Sequence, residues 1–175
     1  MESLKLFISM ELDANLHVGT MDISLVFLYA PIEEELYIVH PNNRRTATPL
    51  NKALDGLKHP PKNWNDTSRQ FLKKYNFYDT EHAPGLFISK DEEKIIAAYV
   101  DDTLIAAKNE EEIDKIIRMF QKSFDLKIIG IMNDRRLRTD ILGLDLDYDL
   151  NKVVATLSLD LTLKLWKLAI QRLKK

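Results

Sequence analysis

The chain has 175 residues, a formal net charge of −2 and no cysteine, with ordinary apolar (45%) and charged (30%) fractions. That size and composition predict one soluble globular domain, and the missing thiols exclude a disulfide framework, a thiolate metal site and a cysteine nucleophile. No apolar run approaches the roughly 20 residues of a membrane span. Met1 to Ala14 carries Glu2, Lys5, Glu11 and Asp13 where a signal peptide is uncharged, and the slight acidity runs against a nucleic-acid surface built on counterion release.

In chain order, "SLKLFISMELDANL" spaces Leu4, Phe7, Ile8 and Leu12 as one face of a short amphipathic helix. "HVGTMDISLVFLYA" reads as a strand running into a bend between Asp22 and Tyr29, and "EELYIVHPNN" as a strand stopped at His40-Pro41-Asn42-Asn43. In "ATPLNKALDGLKHPPKNW", Gly56, Pro60 and Pro61 break any helical start into a loop. Two helices are strongly patterned. "NWNDTSRQFLKKYNF" places Trp64, Ser68, Phe71, Leu72 and Tyr75 on one face. "KNEEEIDKIIRMFQKSF" places Ile113, Ile116, Ile117, Phe120 and Phe124 on another, with Asn109 as N-cap, Glu112 three residues on, and an acidic first turn. Strands follow from "GLFISKDEEKIIAAYV" and "AYVDDTLIAA", and a hairpin turning at Tyr148 to Lys152 from "TDILGLDLDYDLNKVVATLSL". "LTLKLWKLAIQRLKK" closes as a basic amphipathic helix, read as a solvated cover for the sheet. The sum is α+β, a mainly antiparallel sheet with helices packed on one face.

Asp101 and Asp102 sit between two apolar runs, with no cation among their near neighbours. They are open to two readings. One is the polar tip of a β-hairpin, where Asp is favoured because its side chain bonds the turn backbone. The other is a carboxylate pair that requires an external hard cation, such as Mg²⁺ with a phosphate completing its shell. On the second reading, Asp22, at the end of a predicted strand between Met21 and Ile23, is the third ligand, and the chemistry is phosphoryl transfer by two metal ions. An unrelated α+β metal or phosphate-binding module is a further possibility, and it gives Asp22 no role.

"MDISLVFLYAPIEEELYIVHP", "LNKALDGLKHPPKNW" and "AYVDDTLIAA", in that order, closely resemble the reverse transcriptase of copia-type LTR retrotransposons, and the likeness continues through "NEEEIDKIIRMFQKSFDLKIIG" and "DILGLDLDYD". The resemblance implies a polymerase-palm-like fold over 1–160, with a divergent thumb-like start over 161–175. It implies Asp22, Asp101 and Asp102 as catalytic ligands of Mg²⁺, for which Mn²⁺ substitutes. It places the incoming nucleotide at Ile23, Phe27 (the sugar gate) and Gly56, and the primer-template at Lys58, Tyr99, Leu142 and Gly143. The implied partners are an RNA template, a DNA primer, dNTPs and other polymerase subunits, with no membrane. The implied location is the cytoplasm, a virus-like particle or the nucleus.

Departures accompany the match. The family's Leu-Tyr-Gly-Leu-Lys-Gln stands here as Leu54-Asp55-Gly56-Leu57-Lys58-His59, which brings an acid to the nucleotide pocket, and Val26 replaces an alanine beside the sugar gate. The family's fingers precede the palm, whereas Met1 opens just before it. The expectation is therefore a truncated reverse transcriptase domain with little or no activity. The alternative is a non-catalytic retroelement remnant that acts by binding polymerase subunits or element RNA.

Overall fold

The computed structural model describes residues 2–31, 35–40, 42–52, 60–80, 83–142, 144–152 and 154–158. Helix α1 (Glu2–Asp13) leads into β1 (His17–Ile23), a single 3-10 turn (Val26–Tyr29), and the ribbon β2 (Tyr37–His40) and β3 (Asn43–Pro49). Helix α2 (Pro60–Lys74), β4 (Phe77–Thr80), β5 (Ala83–Ser89), β6 (Ile95–Tyr99), β7 (Asp102–Ala107) and α3 (Glu110–Gln121) follow. The described chain ends with β8 (Leu126–Ile131), β9 (Arg136–Ile141), β10 (Leu144–Asp149) and β11 (Val154–Ser158). Among the described residues no helix is long and apolar enough to cross a membrane. The C-terminal amphipathic helix and the 161–175 boundary lie outside the described residues.

The six-stranded sheet runs β4-β5-β6-β7-β1-β8, and every ladder in it is antiparallel. A second sheet, β11-β10-β9, covers part of one face, and β2-β3 forms a separate ribbon. The mixed α+β, antiparallel expectation holds. The placement of helices on one face does not. Alternate residues of the central strands feed two cores: Met21, Ile23, Ile96 and Ile105 pack with α2 and α3, while Val18, Ile95, Ala97, Leu104 and Ala106 pack with Leu4 and Phe7 of α1 and with Leu137, Leu146 and Tyr148 of the second sheet. Strands apolar on both pleated faces bury area only if both faces are covered, so α1 lies opposite α2 and α3.

Helix α3 follows the sequence reading as far as Gln121, and Phe124, read on the same stripe, is buried beyond the helix end. The Asn109 side chain accepts the Glu112 N–H at 3.0 Å, and Ile113, Ile116, Ile117 and Phe120 are buried. Its seat on β1 is tight, since a Cβ on Gly19 would stand 2.7 Å from Ile113 Cγ2. In α2 the two prolines occupy the first turn rather than breaking the helix, because amides there need no helical partner. Trp64, Ser68, Phe71 and Leu72 are buried as expected, but Tyr75, beyond the helix end, is exposed. Strands β3, β4 and β8 are additions to the sequence reading, and the single hairpin read in "TDILGLDLDYDLNKVVATLSL" is divided among three strands, with a further turn after Ile141. β3 takes up "ATP", read as a helical start, and β4 takes Phe77, read as the end of a helix.

Two buried polar arrangements carry energetic weight. The Trp64 indole N–H donates to the Val100 carbonyl at 2.6 Å, tying α2 to the β6–β7 turn. In α1, the buried stripe is Ser3, Leu4, Phe7 and Glu11. Glu11 thus holds a core position, with neither carboxyl oxygen hydrogen-bonded, and burial pushes its pKa up to about 8. The neighbouring Tyr148 hydroxyl is equally unpartnered, and burial followed by Glu11 raises its pKa as well.

A carboxyl that titrates near 8 folded and 4.5 unfolded keeps its extra proton in the native state between those values. Stability is therefore full below about pH 4.5 and falls as pH rises toward 8. Denaturant unfolding should show wild-type stability declining by a few kcal/mol from pH 5 to pH 8, and Glu11→Gln should flatten that slope; parallel slopes in the two proteins would exclude Glu11 as its source. Trp64→Phe, which keeps an aromatic ring but strands the Val100 carbonyl, should cost about 1–3 kcal/mol by urea midpoint.

Candidate active site

The β1–β7 ladder pairs Asp22 directly with Asp102. Side chains of a directly opposed antiparallel pair point to the same face, with Cβ atoms about 4.5–5.5 Å apart, so these two carboxylates sit side by side at one end of the strands. Asp101 is exposed in the turn just before β7. Its carbonyl oxygen accepts the Ile23 N–H at 2.9 Å, which fastens the turn to the strand carrying Asp22. Tyr99 pairs with Asp102, leaving a two-residue loop of Val100 and Asp101. Val100 has φ +52°, while Asp101 is not among the positive-φ residues, the pattern of a type II′ hairpin that normally takes glycine at its first position. A β-branched residue there is strained, and the Trp64 indole holds its carbonyl in place.

Asp102 is half-buried. Its pKa is raised, first by desolvation and then by the negative charges of Asp101, Asp22 and Asp140, while the Leu142 N–H, 3.1 Å from Oδ2, pulls it down. Among the described residues none of the three aspartates is in an ion pair. Nor do three His, Asp or Glu side chains among them converge tightly enough to hold one ion. The donor set is three hard carboxylates near one strand end, none of them ion-paired among the described residues, which in its chemistry suits an oxygen-seeking divalent cation.

The other predicted positions divide. Ile23 is buried, so only its main chain faces the turn. Phe27 lies in the 3-10 turn, half-buried against the core under α2 and α3. Val26, noted above as replacing an alanine, is 4% exposed and packs into that core. Tyr99 is half-buried against the α1-side core with its hydroxyl enclosed near Ser3, and burial raises its pKa. Leu142 is exposed in the β9–β10 turn with φ +54°. Gly56, Lys58 and Gly143, together with Asp55, lie outside the described residues.

Two residues near the carboxylates went unread in the sequence. Lys127 on β8 is the ladder partner of Asp22 on its other side, which puts a cation on the same face. Asp140 on β9 adds a fourth negative charge near Asp102. Only the pairing of distant strands brings either one here. The alternation within "TDILGL" sets Asp140 and Leu142 on a common face but does not say what they meet.

Comparison with known proteins identifies the family. A family model described as reverse transcriptase (RNA-dependent DNA polymerase) matches residues 1–157. The chain is 34% identical over 169 residues to the transposon Ty1-NL2 Gag-Pol polyprotein of Saccharomyces cerevisiae, an alignment covering 93% of this chain and 10% of the polyprotein, so the chain spans about a tenth of that relative's length. By the extent of both matches, the chain belongs to the reverse transcriptases, as a copia-type retrotransposon reverse transcriptase domain.

Proposed function

We propose that this domain is a polymerase palm whose reaction is RNA-directed DNA synthesis by two-metal nucleotidyl transfer, with Asp22, Asp101 and Asp102 as the ligands of Mg²⁺. The observation that carries the reading is the Asp22–Asp102 cross-strand pair with Asp101 in the adjoining turn. A divalent ion pair bound there supplies Lewis-acid activation of the primer 3′ hydroxyl and neutralises charge on the departing pyrophosphate. The chain's own groups do the positioning. The Ile23 amide, bonded to the Asp101 carbonyl, fixes the two carboxylate segments relative to each other. Phe27, on the short turn after β1, is the gate that would sit under the incoming sugar, with Ile23 and Gly56 completing the nucleotide contacts. Tyr99, Leu142, Gly143 and Lys58 are assigned to the primer-template. Lys127, beside Asp22 in the ladder, supplies a positive charge on the face where phosphates would gather.

A net charge of −2 gives little counterion release toward nucleic acid, so the domain's own grip on primer-template is weak and turnover is expected to be low. A second, non-catalytic reading has the chain act by binding polymerase subunits or element RNA, and the same charge favours the subunits over the RNA.

Primer extension by the intact chain on an RNA template with a DNA primer, dNTPs and Mg²⁺ separates the two. Catalysis predicts slow, metal-dependent incorporation that disappears with Asp101→Asn. Incorporation unchanged by Asp101→Asn would refute the assignment of the carboxylates. A wild-type chain that is stabilised by Mn²⁺ in a thermal melt yet extends no primer would favour the binding role.

A further inference from the structure

Ile141 pairs with Leu144, so the β9–β10 connection is as short as the one bearing Asp101, with two residues in the loop. In both loops the first residue is a bulky apolar one in the left-handed region, Val100 at φ +52° and Leu142 at φ +54°. The two turns meet at Asp102. The Leu142 side chain is 43% exposed, so side-chain burial does not account for its conformation. In this turn the Leu142 N–H donates to Asp102 Oδ2 at 3.1 Å. This is the one described hydrogen bond to a side-chain oxygen of the three aspartates.

A carboxylate flanked by Asp22, Asp101 and Asp140 is pushed by repulsion toward whichever rotamer separates the charges. One donor on Oδ2 opposes that by fixing the carboxylate plane, and it leaves the second oxygen as a donor for a cation. Removing a group that orients a ligand in this way typically costs about 10- to 100-fold in metal affinity. We propose that the Leu142 amide is a positioning group for Asp102, so that divalent-cation affinity depends on the conformation of the β9–β10 turn. The inference rests on the reading of Asp102 as a metal ligand, and it makes the turn assigned to the primer a partner in building the ion site.

The test is Mn²⁺ binding to the intact chain, measured from the free-ion EPR signal, for the wild type, for Asp102→Asn, and for a chain in which the Leu142 amide is replaced by a backbone ester. The ester removes the N–H and leaves every side chain in place. The ester chain should bind Mn²⁺ roughly 10- to 100-fold more weakly than the wild type, and Asp102→Asn should also weaken binding. An ester chain that binds like the wild type, beside a weakened Asp102→Asn, would overturn the positioning role and leave the metal-ligand reading standing. An Asp102→Asn protein that binds like the wild type would overturn that reading and the inference with it. If the ester chain does not melt cooperatively, the unmodified protein decides. The Leu142 ¹H–¹⁵N resonance should move as Mg²⁺ saturates the wild type and stay still in Asp102→Asn, and a resonance that ignores saturating Mg²⁺ would refute the proposal.

Discussion

The register of the β1–β7 ladder is the constraint on which the rest depends, because it sets Asp22 against Asp102. Like charges opposed in a sheet repel, and at about 5 Å with an effective dielectric near 20 the penalty is roughly 3 kcal/mol. Slipping one strand by a single residue would relieve it but would also turn every side chain of that strand to the wrong face. Val18, Met21, Leu104 and Ile105 are all buried, divided between two cores. Each is worth about 1.5–3 kcal/mol in place. Burial therefore exceeds repulsion several-fold, and the hydrophobic sequence of the strands holds the carboxylates together.

The same logic explains where the backbone is strained. Leu25, Val100 and Leu142, three of the non-glycine residues with positive φ, stand at turns beside the aspartates. Left-handed backbone costs an L-residue about 1–2 kcal/mol, and it persists where the surroundings over-determine it. Around Val100 the determining contacts are the Trp64 indole on its own carbonyl and the Ile23 amide on the Asp101 carbonyl. At Leu142 the matching contact is to Asp102 itself. The tips of two hairpins, from different sheets, are thus held by partners from outside each hairpin, two donors at the β6–β7 tip and a carboxylate acceptor at the β9–β10 tip.

Much of this was legible in the sequence where local pattern decides. The α3 stripe with its Asn109 cap, the apolar runs on either side of the Asp pair, and Asp22 at a strand end all follow from period, cap chemistry and charge placement. The resemblance added the order of motifs that ties Asp22 to residues far along the chain. What the sequence hid were long-range choices. β3 is polar and its side-by-side partner β2 is exposed, so neither carries the alternation that marks a half-buried strand. Glu11 falls on the buried stripe of α1, but a helical-periodicity reading assigns a carboxylate to solvent; in the interior it is a neutral acid, to which that rule does not apply. Lys127 and Asp140 reach the site through the pairing of β8 and the packing of β9, and no spacing within one segment encodes either. Helices cover both faces for a reason the runs "IIAAY" and "TLIAA" do contain, since consecutive apolar residues in a strand require cover on both sides.

The electrostatics of the site bear on stability as well as on chemistry. The aspartate cluster has no ion-paired cation of its own among the described residues, and desolvation and three neighbouring charges raise the pKa of Asp102 against the one amide that favours its ionised form. A cation that enters such a cluster removes repulsion the unfolded chain does not feel, so its binding free energy adds to folding stability through linkage. On the proposed reading, the ion, the triphosphate and the primer end then form one neutralising set rather than three separate ligands. Each charge brought to the cluster makes the next more favourable, beginning with the cation. A domain with so slight a basic surface would in this way draw nucleic acid to the strand end through its bound ions and Lys127, and depend on ion binding for recognition as much as for reaction.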